Sequence, residues 1–173
     1  MSAKEVSGRS PFFHVVLHQP EIPHNTGNIG RSCVATRSSL HLIHPLGFDT
    51  SEKACRRAGL DYWPRLDLRE HQSWPNYLEA TPGAQRWLFT TKTNRSVFHA
   101  DFRRGDHLIF GAETCGLPVE ILNAHPDRLL RFPMARSERS LNLATAVCAG
   151  LYEAVRQCSV RGEITIDPNE CLF

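Results

Sequence analysis

The stretch that most limits how this chain can fold is residues 129–157, where a strand end, a polar loop and a helix follow without a break. Leu129, Leu130 and Phe132 end an apolar run, and a loop carrying Arg136, Glu138 and Arg139 follows. Then Ala144, Val147, Cys148, Leu151 and Val155 recur at i, i+3, i+4, i+7 and i+11, one face of a helix. Ser140 and Asn142 both stand where an N-cap belongs. Ala144, Ala146, Ala149 and Gly150 make the helix unusually small-sided. A mid-helix Gly costs roughly 1 kcal/mol relative to Ala, so Gly150 predicts the close approach of another backbone. A donor-rich loop at a helix N-terminus suits a polar ligand; a closing helix docked on a sheet is the plainer alternative.

The rest of the chain alternates in the same way. Residues 12–17 (F-F-H-V-V-L) form a nearly continuous apolar run, the pattern of a strand buried on both faces. Pro20 and Pro23 keep the next loop extended, and Asn25 or Thr26 is expected to cap a helix running to about Arg37. Further strands are expected at 40–43, 65–68, 86–90, 107–110 and 128–132. Helices are expected at 51–58, after a Ser73 cap with Pro75 in the first turn, and from Pro118 to about Asn123. Strands alternating with helices imply an α/β domain, a mostly parallel sheet with helices on both faces.

At 173 residues, one domain with a full core is expected. The expected division is a flexible N-terminal tail at 1–12, the domain at 13–158 and a C-terminal tail at 159–173. A net charge of +2 is too small for a non-specific nucleic-acid coat, so any RNA partner would meet a local basic patch. The six cysteines include no C-x-x-C pair and fit no disulfide framework, the usage of a reduced cytoplasmic protein without a zinc site. With neither a signal-peptide run nor a membrane-length span, no membrane partner is expected.

Three strand-to-helix junctions are polar and glycine-bearing: 25–31, 111–118 and 134–142. In parallel sheets such loops gather around the crevice outside the carboxyl ends of the strands. Asn25-Thr26-Gly27-Asn28-Ile29-Gly30 lacks the dinucleotide fingerprint, and Leu117-Pro118 replaces the Lys-Ser/Thr of a P-loop. Metal readings fail along the strands: His41 and His44 point to opposite faces, while His14 and His18 lie about 13 Å apart. No metal is therefore expected.

Taken together, P-E-I-P-H-N-T-G-N-I-G-R (20–31), F-G-A-E-T-C-G-L-P (110–118) and F-P-M-A-R-S-E-R-S-L-N-L-A-T-A-V (132–147) resemble the S-adenosylmethionine-dependent RNA ribose methyltransferases of the SPOUT class. The closest likeness is to the small single-domain subgroup acting on the tRNA wobble nucleotide; R-R-A-G-L-D-Y (56–62) and Y-E-A-V-R-Q (152–157) add to it. The resemblance implies a deep C-terminal trefoil knot, a cytoplasmic homodimer, tRNA as partner and no DNA. It also implies methyl transfer from S-adenosylmethionine to the ribose 2′-hydroxyl of a cytidine or uridine, leaving S-adenosylhomocysteine. A ribosomal-RNA methyltransferase of the same class, or a non-catalytic RNA-binding relative, are the alternatives.

Carried over residue by residue, the resemblance places the methyl donor against Phe89, Thr90, Gly111, Glu113, Phe132, Met134, Ser140, Leu141 and Asn142. Arg31 matches the catalytic arginine at the acceptor ribose, and Tyr152 a residue on the acceptor side. Asn25, Asn28, Arg136 and Arg139 would meet the RNA, with Arg56, Arg57, Arg103 and Arg104 as further basic groups. Three positions depart from the family pattern: Gly30 replaces a larger aliphatic residue, Cys115 an arginine and Phe132 an isoleucine.

Overall fold

A computed structural model describes residues 10–51, 59–169 and 171–172. Six strands, β1 (His14–His18), β2 (Ser39–Ile43), β3 (Leu68–His71), β4 (Arg86–Phe89), β5 (His107–Phe110) and β6 (Leu129–Leu130), make one sheet in the order β3-β2-β1-β5-β4-β6. Every pairing is parallel. The chain runs outward from β1 to β3, crosses to β4 and returns to insert β5 beside β1. The order therefore reverses between β1 and β5, the place where parallel sheets open a ligand crevice.

The strands are apolar because both faces are covered. Among the described residues, four helices flank the sheet: α1 (Pro23–Ala35), α2 (Trp74–Ala80), α3 (Val119–Asn123) and α4 (Leu143–Val160). One core gathers Val15, Leu17, Ile29, Leu40, Leu108, Val147 and Leu151, under α1 and α4. The other gathers Val16, Ile43, Tyr77, Ile109, Ile121 and Leu122, under α2 and α3. Alternation along β1, with Val15 on one side and Val16 on the other, divides the two cores.

Several boundaries differ from the sequence expectation. The helix expected at 51–58, with Arg56 and Arg57, lies outside the described residues apart from Ser51. The strand expected at 65–68 is displaced to Leu68–His71, because Trp63–Arg65 forms a single 3₁₀ turn and Leu66 packs on Tyr62 and Trp63. Within the last expected strand, Leu129–Leu130 pairs with β4 and Arg131 makes an isolated bridge to Ser96, after a 3₁₀ turn at Pro126–Arg128. Phe12 is fully buried and Ile164 nearly so, both in the core under α1 and α4. Ser73 caps α2 as expected, its side chain accepting from the Asn76 amide.

Asn25 and Thr26 do not cap α1; both are buried inside it, and the N-cap Ile22 has no side-chain acceptor. The cap comes instead from Glu113, whose carboxylate accepts from the Glu21 and Ile22 amides at 2.9 and 3.3 Å. A carboxylate at a helix N-terminus satisfies orphan N–H groups and complements the helix dipole. Gly30 makes room for the turn at 63–65: a Cβ there would stand 3.0 Å from the Trp63 ring.

Beneath α2, side chains of four strands form a histidine array. His14 Nδ1 lies 3.0 Å from His41 Nε2, and His41 Nδ1 lies 2.9 Å from His71 Nε2. His107 stacks on His14 at 4.2 Å between centroids and hydrogen-bonds the Tyr77 hydroxyl at 2.7 Å through Nδ1. Burial is the main cause that holds His14, His41 and His107 down to about 4, 2 and 3 respectively, with nearby charges adding to it. The histidines converge across strands, where spacing along any one strand carries no signal.

Candidate active site

The loops leaving the carboxyl ends of β1, β4, β5 and β6 enclose a cavity of about 740 Å³ at the switch point. That is within the size range of small-molecule sites. Its wall is aromatic. Phe89 stacks on Phe110 at 4.3 Å and on Phe132 at 5.4 Å between centroids, one ring from the end of each of two strands and one from the loop after β6. Behind them stands α4, and a Cβ on Gly150 would come 3.2 Å from the Phe89 ring. The close neighbour of Gly150 is therefore a phenyl ring, where a backbone was expected. Phe89 fills the space that a side chain on the helix would occupy.

The loop after β5 closes tightly on itself. Gly116 adopts a φ of +71°, and a Cβ built on Gly111 would fall inside the backbone of Gly116 and Leu117. Glycine is required at both positions, at one by conformation and at the other by space. This turn presents peptide groups to the cavity and holds Glu113 against α1.

Glu113 is one member of a network that joins all three polar junctions. Asn25 Nδ2 donates to Glu113 Oε1 at 3.0 Å, and Asn142 Nδ2 donates to Asn25 Oδ1 at 3.0 Å. Asn142 Oδ1 accepts from the Thr145 amide at 3.2 Å, which makes it the N-cap of α4. Glu21 returns the contact, accepting from the Thr114 amide and hydroxyl at 2.9 and 2.7 Å. Each amide side chain is used at both ends, so its orientation is fixed.

All nine residues expected at the donor line this cavity: Phe89, Thr90, Gly111, Glu113, Phe132, Met134, Ser140, Leu141 and Asn142. Of those expected to meet RNA, Asn25 and Arg139 also line it. Asn28 is exposed on α1 and Arg136 on the loop before α4, and neither lines the cavity. Arg31 also stands outside. Its guanidinium lies 3.5 Å from Asp61 and 4.4 Å above the centroid of Tyr62, whose hydroxyl donates to the Gly27 carbonyl. Tyr152 is half-exposed on α4 and likewise does not line the cavity. Arg103 is tied to Asp101 and Glu163, each at 2.9 Å, and Arg104 bonds the Glu163 carbonyl.

Sequence reading missed Phe110, Leu130 and Leu143 as lining residues. The available signal was their position: each ends a strand or begins a helix at the same edge of the sheet.

The chain matches the SpoU rRNA Methylase family over residues 12–152. A relative from Aeromonas hydrophila named tRNA (cytidine(34)-2′-O)-methyltransferase is 45% identical over 154 residues, covering 87% of this chain and 97% of that one. A solved structure concerned with the 2′-OH methylation of C/U34 on tRNA is 49% identical with a TM-score of 0.80, covering 86% of this chain and 97% of that chain. An S-adenosylmethionine-bound rRNA methyltransferase from Sinorhizobium meliloti is 26% identical with a TM-score of 0.74; it covers 86% of this chain and 57% of that chain.

Proposed function

This chain belongs to the SpoU rRNA Methylase family, and from that membership we propose that it methylates the ribose 2′-hydroxyl of the tRNA wobble nucleotide, cytidine or uridine. The observation that carries the reading is the cavity itself. It lies at the sheet's switch point, is built from the three motif-bearing loops, and belongs to a chain that aligns with nearly the whole length of a relative named for this reaction.

The methyl donor is S-adenosylmethionine, and the residues present fit it. A phenyl wall suits a flat purine, the Gly111–Gly116 turn offers peptide groups where no side chain fits, and the volume suits a nucleoside-sized ligand. Phe89, Phe132, Met134 and Leu141 would pack against it, while Thr90, Gly111, Ser140 and the loops fixed by Glu113 and Asn142 would orient it. When bound, it supplies an electrophilic methyl group on a sulfonium.

The chain's own task is to align the acceptor hydroxyl and tolerate the charge that grows on its oxygen. A guanidinium is a poor base and a good bidentate donor, so Arg31 serves as an oxyanion stabiliser and phosphate clamp. Its present partner, Asp61, is exposed and easily exchanged for RNA phosphate. Tyr152 would stand on the acceptor side, and Asn28, Arg136 and Arg139 would meet the RNA. Asn25 serves differently from a direct RNA contact, since both ends of its amide hold neighbouring loops.

Further expectations go with this reading. The chain acts as a homodimer, with the half-exposed Tyr152 completed across the interface, and works in the cytoplasm on tRNA, with neither DNA nor a membrane as partner. No described helix is long and apolar enough to cross a membrane. The segment into α4 forms the trefoil knot, and the reaction needs no metal. The test is tritiated methyl transfer to bulk tRNA against ribosomal RNA, with the modified nucleotide mapped. Label in the tRNA wobble ribose is expected; label confined to ribosomal RNA, or none, would overturn the assignment.

A further inference from the structure

The histidine array is separate from the cavity. His14 and His107 open β1 and β5, whereas the cavity lies beyond the other ends of those strands. Parallel register puts His14 directly opposite His107, and His41 one rung pair further along β2, opposite Val16. Alternation then turns all three rings to the face under α2. One ring nitrogen from each of His14, His41 and His107 lies within 4.8 Å of the other two.

We propose that His14, His41 and His107 form a binding site for one divalent transition ion of the zinc class, a clamp across β2, β1 and β5. Imidazole is a preferred ligand for zinc, copper and nickel, and three imidazoles are a recurrent zinc set that leaves a fourth position to water. Zinc–nitrogen bonds of about 2.0–2.1 Å in a tetrahedron put ligand nitrogens about 3.3 Å apart. The 3.0 Å between His14 Nδ1 and His41 Nε2 is already close to that. His107 must approach by a fraction of an ångström to about 1.5 Å, a displacement within reach of ring rotation.

The surroundings orient the rings as metal-bound histidines are oriented. Nδ1 of His41 faces His71 Nε2 at 2.9 Å, which leaves its Nε2 turned to the site, and the Tyr77 hydroxyl holds Nδ1 of His107. Binding opens the hydrogen bond between His14 and His41, and the proton it held moves to the far nitrogen of the same ring. No proton need leave the protein. Two guanidiniums stand near the rings: Arg69 is paired with Asp67 at 2.9 Å, and Arg86 is bonded to the Thr81 and Ala84 carbonyls at 2.6 and 3.1 Å. His14, half-buried while His41 and His107 are buried, gives the ion its way in.

The test uses the full chain, freed of metal with a chelator and titrated with Co²⁺, then with competing Zn²⁺. Expected are one equivalent bound with the visible bands of tetrahedral nitrogen–oxygen coordination, displacement by Zn²⁺, and a melting temperature raised by Zn²⁺. His14→Gln should weaken Co²⁺ at least about tenfold, Tyr77→Phe by a smaller factor, and His99→Gln, at an exposed position of the turn at 97–99, not at all. In wild-type protein, ¹⁵N-histidine spectra should move three rings together on Zn²⁺ addition, which needs no variant to fold. No Co²⁺ bands, affinity unchanged in folded His14→Gln, a sulfur charge-transfer band, or shifts confined to rings other than these three and the hydrogen-bonded His71 would overturn the proposal. Methyl transfer plays no part in these readouts, so their failure leaves the proposed function standing.

Discussion

The sheet carries two polar constellations, and they are built by opposite means. The histidine array runs diagonally from the first residues of β1 and β5 to the last residue of β3, under α2, and strand register alone places each ring. The Asn25–Glu113–Asn142 network sits beyond the carboxyl ends, and its links span 88 and 117 residues of chain between loops. Register brings the rings so close that they satisfy one another and leave a dense, buried block. Loops leave space between the elements they join, and the second network holds that space open as a cavity. Polarity in the array should therefore govern stability, and polarity at the cavity should govern binding and rate.

The sharpest break between the two comes from Arg31→Ala. Turnover should fall by roughly 10²–10³-fold, the scale of losing one oxyanion donor. The melting temperature should hardly move, because the Asp61 pair is exposed and such pairs contribute little. Arg31→Lys should rescue little, since the ammonium cannot bridge two oxygens as a guanidinium does. Single-turnover transfer to tRNA at saturating donor reads both variants; near-wild-type rates for alanine would remove Arg31 from the chemistry.

Acid should separate the two constellations in the other direction. His41 and His107 are held neutral far below their ordinary value, mainly by burial, so the folded state binds fewer protons than the unfolded chain. The sign follows: stability is complete above the unfolded histidine value and is lost as pH falls through about 6.5 toward the folded values. Each ring that must stay neutral contributes a slope of up to about 1.4 kcal/mol per pH unit. Urea unfolding of metal-free protein at pH 7.5 and 5.5 should show a loss of about 2 kcal/mol or more. Equal midpoints would mean that the rings do not stay neutral when folded.

Asn142→Ala tests the cavity network itself. It removes the N-cap of α4 and a donor to Asn25, at a cost of about 0.5–2 kcal/mol. Affinity for S-adenosylhomocysteine by calorimetry should drop more than stability does, because the cap orders the loop at 140–142. Unchanged affinity in a folded variant would place the donor elsewhere. The smallest effect is expected of Gly150→Ala. Helix propensity gains up to roughly 1 kcal/mol, offset by a Cβ 3.2 Å from Phe89, so stability should change little. Donor affinity should still fall several-fold, since the displaced ring is part of the cavity wall; an unchanged dissociation constant would show that Phe89 can yield without cost.

The two constellations were not equally legible. The three junctions were readable as motifs, and with them the residues that line the cavity, because glycines and polar side chains stand out against apolar strands. The cap of α4 was readable for a similar reason: Asn142 and Thr145 are three residues apart, and local capping leaves a local mark. The cap of α1 was not, because its acceptor is Glu113, 91 residues from the Ile22 amide it holds. Gly150 was readable as a place of close approach, but its neighbour Phe89 lies on another element.

The order of strands and helices, the both-face burial of the sheet and the polar edge of the crevice were all determined by the sequence itself, because each is a pattern of period two or 3.6 within a few residues. The packing partners were decided by tertiary structure alone. His14, His41 and His107 are unremarkable in their own strands, and become a cluster only when parallel pairing fixes β1 between β2 and β5 in one register. A shift of that register by one residue would turn His14 or His41 to the opposite face, and no periodicity along a single strand records which register its neighbour takes.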